Sequence, residues 1–297
     1  MRDLTQPGSL PLRPLTTGEL LDAAVVLLRM RGWRLLVLGF VIAAAEQALL
    51  FPLRRLADID SRYLPADGRL VEFGILVMVG LFTEVAAIAV LGGVAARQAP
   101  RALLGWAAPS RPRPHRTASV VTVAVITGLI CGLTAWPFLF LPQSIGWAGI
   151  VLAIIMTVIA WPFAYGPIGM AAPIVVTDEL NPFRAFGRSI RLSTRSGLRG
   201  LWIRVMGYVT WIVIRYGLAL GTLAIIELFA TSPSNTVDNL IMGGTWLIVN
   251  TLIYPTLGSL DVALHLETRM RTEGLDIALR RAIHRGVAPD AVLGVPR

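Results

Sequence analysis

The chain has 297 residues, of which 55% are hydrophobic and only 15% are charged, and its mean hydropathy is +0.68. Soluble domains carry about 25% charged residues, so the composition excludes an ordinary soluble domain and indicates a protein embedded largely in a membrane. The net charge of +9 comes from 27 arginines without any lysine, and these lie mostly in predicted loops and termini, as in membrane proteins rather than nucleic-acid-binding ones.

The N-terminal segment, residues 1–15, contains several prolines and no apolar core of a cleavable signal peptide. We expect it to be a flexible cytosolic tail, with targeting left to the first membrane span. A capping box follows, in which Thr16 is the N-cap and Glu19 reaches back to it. Apolar residues at helical spacing from Leu20 to Leu28 then predict an amphipathic helix at the cytosolic interface.

Six apolar runs are long enough to cross a bilayer, which takes about 20 residues. The predicted spans cover residues 33–53, 70–95, 118–141, 146–176, 202–230 and 236–264, approximately. The fourth contains Pro162, Pro167 and Pro173, which predict a bent or broken helix because proline removes a backbone donor. We expect the last helix to continue beyond the membrane as far as Gly274, within a membrane domain of residues 16–285 that precedes a disordered tail, residues 286–297.

The arginines predict the orientation of the chain. Counted over the N-terminus, the 97–116 and 184–204 loops and the C-terminal tail, 22 arginines lie on one side, against four between the first two spans. The positive-inside rule therefore predicts that both termini are cytosolic, in the plasma membrane.

The stretch Asn181–Arg204 is the most distinctive in the chain. If it is helical, its arginines fall within an arc of roughly 80°, with Phe183, Phe186 and Ile190 on the opposite side. This pattern is typical of a helix that lies at the membrane surface and contacts anionic lipid of the inner leaflet. The arginines of this predicted basic face are Arg184, Arg188, Arg191, Arg195 and Arg199.

A second group of polar residues lies inside the predicted spans. Glu46 and Glu84 are each roughly 17 Å from the cytosolic ends of their spans, and Arg215 and Asn250 roughly 20 Å. One guanidinium could therefore meet one or both carboxylates. Either the pair fixes the helix register, or the surplus carboxylate holds a proton or a cation.

Catalytic patterns have little support in the sequence. The histidines His115, His265 and His284 fall in predicted cytosolic segments without metal-ligand spacing, and the single cysteine, Cys131, has no second thiol to join it at a metal. We place Asp178 and Glu179 just past the fourth span, paired with the arginines after them, and Asp261 at the solvated mouth of the sixth. We therefore expect no catalytic site, no cofactor and no metal.

The segment from Pro182 to Ser189 resembles the Pro-x-x-Ala-x-x-Arg-Ser segment of bacterial multi-pass proteins grouped around the membrane domain of glycerophosphoryl diester phosphodiesterase. Pro182, Ala185, Arg188 and Ser189 match it, and residues 13–24 and 269–279 resemble an actinobacterial branch of that group. The resemblance implies a six-span helical protein with cytosolic ends. It does not imply phosphodiesterase chemistry, which resides in a separate soluble barrel.

These observations predict an all-α polytopic membrane protein with six transmembrane helices and two interfacial amphipathic helices on the cytosolic side. The leading functional hypothesis is a non-catalytic scaffold or accessory subunit that contacts anionic lipid, or a protein partner on the cytosolic face, and no nucleic acid. The alternative is a transporter or lipid-handling protein with a midplane Glu/Arg site, and an intramembrane enzyme comes third.

Overall fold

The computed structural model describes residues 10–30, 32–59, 65–66, 68–104, 116–197, 199–229, 235–285 and 292. Those residues are overwhelmingly helical and include no strand, which confirms the all-α prediction. The predicted tails, residues 1–15 and 286–297, fall largely outside the described residues. The helices are α1 (Thr17–Met30), α2 (Gly32–Leu56), α3 (Leu70–Ala96), α4 (Ala99–Leu104), α5 (Thr117–Leu133), α6 (Leu141–Ile145), α7 (Trp147–Ile168), α8 (Ala171–Thr177), α9 (Pro182–Arg195), α10 (Arg199–Phe229), α11 (Asn235–Glu273) and α12 (Leu275–His284).

Five helical segments among the described residues are long and apolar enough to cross a membrane. They are α2, α3, α7 continued by α8, the first 24 residues of α10, and the part of α11 from Asn239. Helices of this length and apolar composition are typical of membrane spans, so we describe the chain as a membrane protein.

The third apolar run is shorter than the predicted span, residues 118–141. Helix α5 has 17 residues and ends at Leu133, so it rises about 26 Å, against about 30 Å for a hydrocarbon core. A 3₁₀ turn, Trp136–Leu139, and the short helix α6 follow it. Pro137 favours the early end, because it lacks the backbone N–H that an α-helix would use and restricts the residue before it.

The fourth run is broken, as its prolines predict. Helix α7 ends at Ile168, and α8 begins at Ala171. The carbonyls that the break leaves open are bound by side chains from neighbouring helices: Arg204 Nη1 donates to Gly166 O (2.9 Å), and Ser189 Oγ donates to Pro167 O (2.7 Å). Buried helix ends need such partners, because a buried carbonyl without a hydrogen bond costs free energy.

Helices α3 and α11 form the centre of the bundle, and they cross at two glycines. A Cβ atom on Gly258 would lie 2.6 Å from the Gly92 nitrogen, a distance that no real side chain tolerates. Helix α3 contacts α2, α5, α8 and α11, and α11 also contacts α1, α2 and α10. Small residues at such crossings are typical of helix packing in membranes.

The beginning and the end of the described chain meet at one end of the bundle. Arg199 Nη2 (2.8 Å) and Arg271 Nη2 (3.1 Å) both donate to Leu15 O, and Arg280 Nη2 donates to Leu12 O (2.7 Å). We call this the arginine-rich end; it consists of residues 10–30, α4, α8, α9, the start of α10, and residues 261–285.

The predicted capping box is present at the start of α1. Thr16 N donates to Glu19 Oε2 (2.8 Å), and Glu19 N donates to Thr16 Oγ1 (3.4 Å). The backbone hydrogen bond from Thr16 and the neighbouring Arg13 guanidinium lower the pKa of Glu19 to about 2. At the other end of the chain, α11 continues to Glu273, and Gly274 breaks it with a φ of 63°, as predicted.

Candidate functional site

Glu84 and Arg215 form a two-pronged ion pair inside the bundle. Arg215 Nη1 lies 3.0 Å from Glu84 Oε2, and Nη2 lies 3.1 Å from Oε1, so α3 and α10 are joined by parallel hydrogen bonds. The guanidinium also lies 4.8 Å from the centre of the Trp246 ring, a cation–π contact. A lone charge at the bilayer centre costs at least about 2.5–3.5 kcal/mol, and this geometry gives each charge its partner.

Glu46 is hydrogen-bonded but has no guanidinium partner among the described residues. Its Oε2 accepts from Tyr254 Oη (2.6 Å) and from Asn250 Nδ2 (3.2 Å), while Oε1 lies 3.0 Å from Thr83 Oγ1. Glu46 is only 6% exposed. The structure therefore brings the four predicted cluster residues together as two neighbouring units: Glu84 with Arg215, and Glu46 with Asn250.

A second buried ion pair lies at the border of the arginine-rich end. Arg204 Nε donates to Asp261 Oδ1 (2.6 Å), and Tyr165 Oη donates to Asp261 Oδ2. Both charged side chains are less than 5% exposed. The prediction of a solvated Asp261 is therefore wrong. Arg204 lies within α10 rather than in a loop, and it brings a compensating charge to Asp261 on α11.

The third charged cluster surrounds Asp178, just past α8. The carboxylate accepts from Arg188 Nε and from Arg269 Nη1 (3.0 Å), and it also contacts the His265 ring. Burial alone would raise the pKa of Asp178, but the His265 ring, Arg269 and Arg188 outweigh it and hold that pKa well below its ordinary value. The predicted pairing of Asp178 with the arginines that follow it is confirmed by Arg188.

His265 is fully buried in α11, in the part of that helix that continues past the predicted sixth span as far as Glu273. Its Nε2 contacts both Thr177 Oγ1 (2.9 Å) and Asp178 Oδ1 (3.3 Å). A nucleophile–histidine–acid relay needs the hydroxyl and the carboxylate on opposite ring nitrogens, so this geometry is a different one. Among the described residues, no group of three His, Cys, Asp or Glu side chains could hold a metal ion.

The predicted basic face divides into two sets. Arg188 and Arg199 turn towards the protein, where Arg188 Nη2 meets Glu273 (2.8 Å) and Arg199 Nη1 meets Glu267 (2.5 Å). Arg199 also belongs to α10, because α9 ends at Arg195 and Gly197 turns the chain with a φ of 65°. The second set is exposed on α9 and consists of Arg184, Arg191 and Arg195.

The other faces of α9 explain its place in the fold. Asn181 caps it by accepting from Arg184 N (2.9 Å), and Ala185, Ser189 and Leu192 are buried against the bundle. Phe183 is 77% exposed and Ile190 43%, about 120° around the helix from the exposed arginines. Phe186 packs on the core instead, so the predicted apolar face is only partly free. We call Arg184, Arg191, Arg195, Phe183 and Ile190 the α9 surface.

Comparisons of the chain with protein-family models, curated proteins and solved structures give no match.

The ion pair between Arg204 and Asp261 is one part of the polar interior that sequence reasoning missed. A signal was present in the spacing: Arg204, Tyr208 and Arg215 recur at intervals of four and seven, and so do Asn250, Tyr254 and Asp261. Each set therefore falls on one face of its helix. Two polar faces on consecutive helices predict that the helices pack with these faces together. An estimate of the depth of each residue in the membrane does not contain this information.

Proposed function

We propose that this chain is a six-span plasma-membrane protein with both termini in the cytosol, and that it is a non-catalytic scaffold or accessory subunit. In this proposal the α9 surface contacts anionic lipid of the inner leaflet, and α1 and α9 are the two interfacial helices. The single observation that carries the proposal is the exposure of three arginines beside two exposed apolar side chains on one helix.

The six-span topology is supported by the course of α5. Near its beginning, Arg116 Nη1 donates to Leu180 O (3.1 Å), beside α9 at the arginine-rich end. Further along, Gly128 and Gly132 pack against the backbone of Phe82 and Met78 on α3. Helix α5 thus runs away from the arginine-rich end, although it is shorter than the other five. Six crossings would also return the C-terminus to the side of the N-terminus, where 22 arginines favour the cytosol.

The lipid contact is supported by the chemistry of the α9 surface. Guanidinium groups bind phosphate oxygens with two parallel donors, and each basic residue near an anionic membrane contributes about 1 kcal/mol. Phe183 and Ile190 would enter the apolar layer just below the headgroups, as in other interfacial helices. The other two arginines of the predicted basic face already have carboxylate partners, so they are left out of this contact.

The proposal is tested with the double variant Arg191→Glu/Arg195→Glu. Purified protein in a neutral detergent is mixed with phosphatidylglycerol or phosphatidylcholine, and the shift in its unfolding midpoint is measured against lipid concentration. We expect phosphatidylglycerol affinity to fall at least about 30-fold, which corresponds to about 1 kcal/mol for each of the two basic residues removed.

The matched control is Arg281→Glu/Arg285→Glu, which makes the same change in net charge at two exposed positions near the C-terminus. We expect the control to retain most of its phosphatidylglycerol affinity. Equal loss in both variants would mean that only net charge matters, and an unchanged affinity in the α9 variant would refute the lipid contact.

We also propose kinship with the membrane domains grouped around glycerophosphoryl diester phosphodiesterase. The four matching residues have separable structural tasks in α9, which supports treating them as a motif. Pro182 is its first helical residue, Ala185 is buried, Ser189 binds the open carbonyl of Pro167, and Arg188 binds Asp178. The shared segment would then be one that docks an amphipathic helix onto a broken span.

A transport or lipid-handling role is the second candidate, and one observation favours it. Glu46 lies deep in the bundle and has no guanidinium partner among the described residues, whereas a purely structural carboxylate at that depth is expected to have one, as Glu84 does.

A further inference from the structure

The surroundings of Glu46 differ from those of every other carboxylate that the structure describes inside the bundle. Glu84, Asp178, Asp261 and Glu267 each meet at least one arginine. The groups that face Glu46 are Thr83 and Glu84 from α3, Asn250 and Tyr254 from α11, and Arg215 from α10, whose guanidinium is committed to Glu84. An ionised Glu46 would leave one uncompensated negative charge in this cluster.

The donors and acceptors around the Thr83 hydroxyl show that its contact with Glu46 needs an additional proton. The Thr83 hydroxyl has one proton, yet three acceptor oxygens surround it: Val79 O (2.9 Å), Gly80 O (3.0 Å) and Glu46 Oε1 (3.0 Å). A threonine inside a helix commonly donates to the carbonyl one turn back. Its contact with Glu46 then becomes a hydrogen bond when the carboxyl group itself donates to Thr83 Oγ1.

The opposite oxygen of Glu46 fits the same assignment. Oε2 accepts from both Tyr254 Oη and Asn250 Nδ2, as the carbonyl oxygen of a carboxylic acid does. Oε1 would then be the hydroxyl oxygen. Each oxygen of the group therefore has partners of the correct sense in the neutral form, whereas in the ionised form Oε1 competes with two helix carbonyls for a single proton.

We propose that Glu46 is a proton-binding site in the interior of the bundle and that it is an uncharged carboxylic acid when the site is occupied. The ligand is a single proton held between Glu46 Oε1 and Thr83 Oγ1. The neighbouring pair of Glu84 and Arg215 is formally neutral, so the whole cluster carries no net charge in this state. This inference is independent of the proposed lipid contact, and it gives the second candidate function a defined chemical group.

The deciding experiment compares infrared spectra of the wild type and Glu46→Gln in lipid nanodiscs at neutral pH. We expect the variant to lose the carbonyl stretch of one protonated carboxyl group and to keep its carboxylate bands. Loss of the carboxylate bands instead, or a wild-type spectrum that changes when sodium is replaced by a bulky organic cation, would overturn the proposal in favour of an ionised or cation-bound Glu46.

Thermal unfolding provides a second measurement, with Glu84→Gln as the matched control. Glutamine can donate to Thr83 and accept from Tyr254 as the neutral acid does, so we expect Glu46→Gln to shift the unfolding midpoint several-fold less than Glu84→Gln, which strips Arg215 of its counter-charge. Failure of Glu46→Gln to fold, or a loss as large as that in Glu84→Gln, would show that the negative charge is required and would contradict the proposal.

Discussion

At the scale of single residues, Asp178 is the point on which the charges of the arginine-rich end converge. Its side chain is fully buried, and it contacts Arg188 from α9 and both His265 and Arg269 from α11. One carboxylate therefore holds the amphipathic helix against the longest helix of the bundle. Glu273 reinforces it by meeting the same two arginines, Arg188 (2.8 Å) and Arg269 (3.0 Å).

We expect Asp178→Asn to lower the free energy of unfolding by about 2–3 kcal/mol, less than the full cost of an unpaired buried charge, because Arg188 and Arg269 lose their buried carboxylate partner but keep Glu273. Thermal or denaturant unfolding in detergent measures the loss. The exposed pair of Arg69 and Glu72 supplies the control, and Glu72→Gln should change the unfolding midpoint little, because solvent screens that pair.

The same residue predicts a pH dependence. Since the folded protein holds the pKa of Asp178 below its ordinary value of 3.8, the stabilisation is fully present above that value and is lost as the pH falls below it. The difference in unfolding midpoint between wild type and Asp178→Asn should therefore be larger at pH 5 than at pH 3 and should narrow below about pH 4. A difference that stays constant down to pH 3 would contradict this assignment.

At the scale of residues, prediction from the sequence succeeded where the depth of a residue along its helix was sufficient information. Equal depth pointed correctly to the contact between Glu84 and Arg215, because both lie near the middles of their helices. It failed for Asp261, whose burial depends on Arg204 and Tyr165 reaching it from two other helices. Depth along a single helix does not contain that information.

At the scale of helices, the crossing of α3 and α11 depends on two residues without side chains. In Gly258→Ala the new methyl group would meet backbone atoms, the Gly92 nitrogen at 2.6 Å and the Ile88 oxygen at 2.9 Å, which cannot rotate away as a side chain could. We expect a loss of about 1–3 kcal/mol in the free energy of unfolding, as in other overpacked cores.

Gly244→Ala on the same helix is the matched control for this substitution. No atom of the surrounding described residues lies within 4 Å of a Cβ built there, and replacing glycine inside a helix by alanine is favourable by roughly 0.5–1 kcal/mol. The two alanine variants should therefore move the unfolding midpoint in opposite directions. Equal shifts would mean that the close approach of α3 and α11 contributes little to stability.

Two helix interruptions lie close to prolines, but proline alone does not predict one, because Pro52 and Pro255 lie inside continuous helices. Pro162, Pro167 and Pro173 predicted a broken fourth span, and the break lies between Ile168 and Ala171. In the third run, the helix ends at Leu133, ahead of Pro137, whereas hydropathy alone extends that run to residue 141. Apolar composition indicates which residues can lie in a membrane. It does not indicate where a helix ends, which depends on residues such as proline that interrupt backbone hydrogen bonds.

At the scale of the whole molecule, six crossings and five crossings place the ends of the chain differently. An even number puts Gly18 and Arg285 on the same side of the membrane, and an odd number puts them on opposite sides. Single cysteines at these two positions, in a Cys131→Ser background, can be labelled with a membrane-impermeant maleimide in intact cells.

We expect Gly18→Cys and Arg285→Cys to react only after the cells are opened, and Gln143→Cys, in the exposed segment before α7, to react in intact cells. Opposite behaviour of Gly18→Cys and Arg285→Cys would refute the six-span topology, because five crossings would then be the count.

The pairing of Glu84 with Arg215 has a consequence for the synthesis of the chain. The two residues are 131 positions apart, and ribosomes add about 5–20 residues per second, so roughly 7–26 s separate their appearance. During that interval α3 has been made without its guanidinium partner. A chain that ends before α10 leaves Glu84 without this partner, so we expect such a fragment to be less stable in a membrane than the full chain.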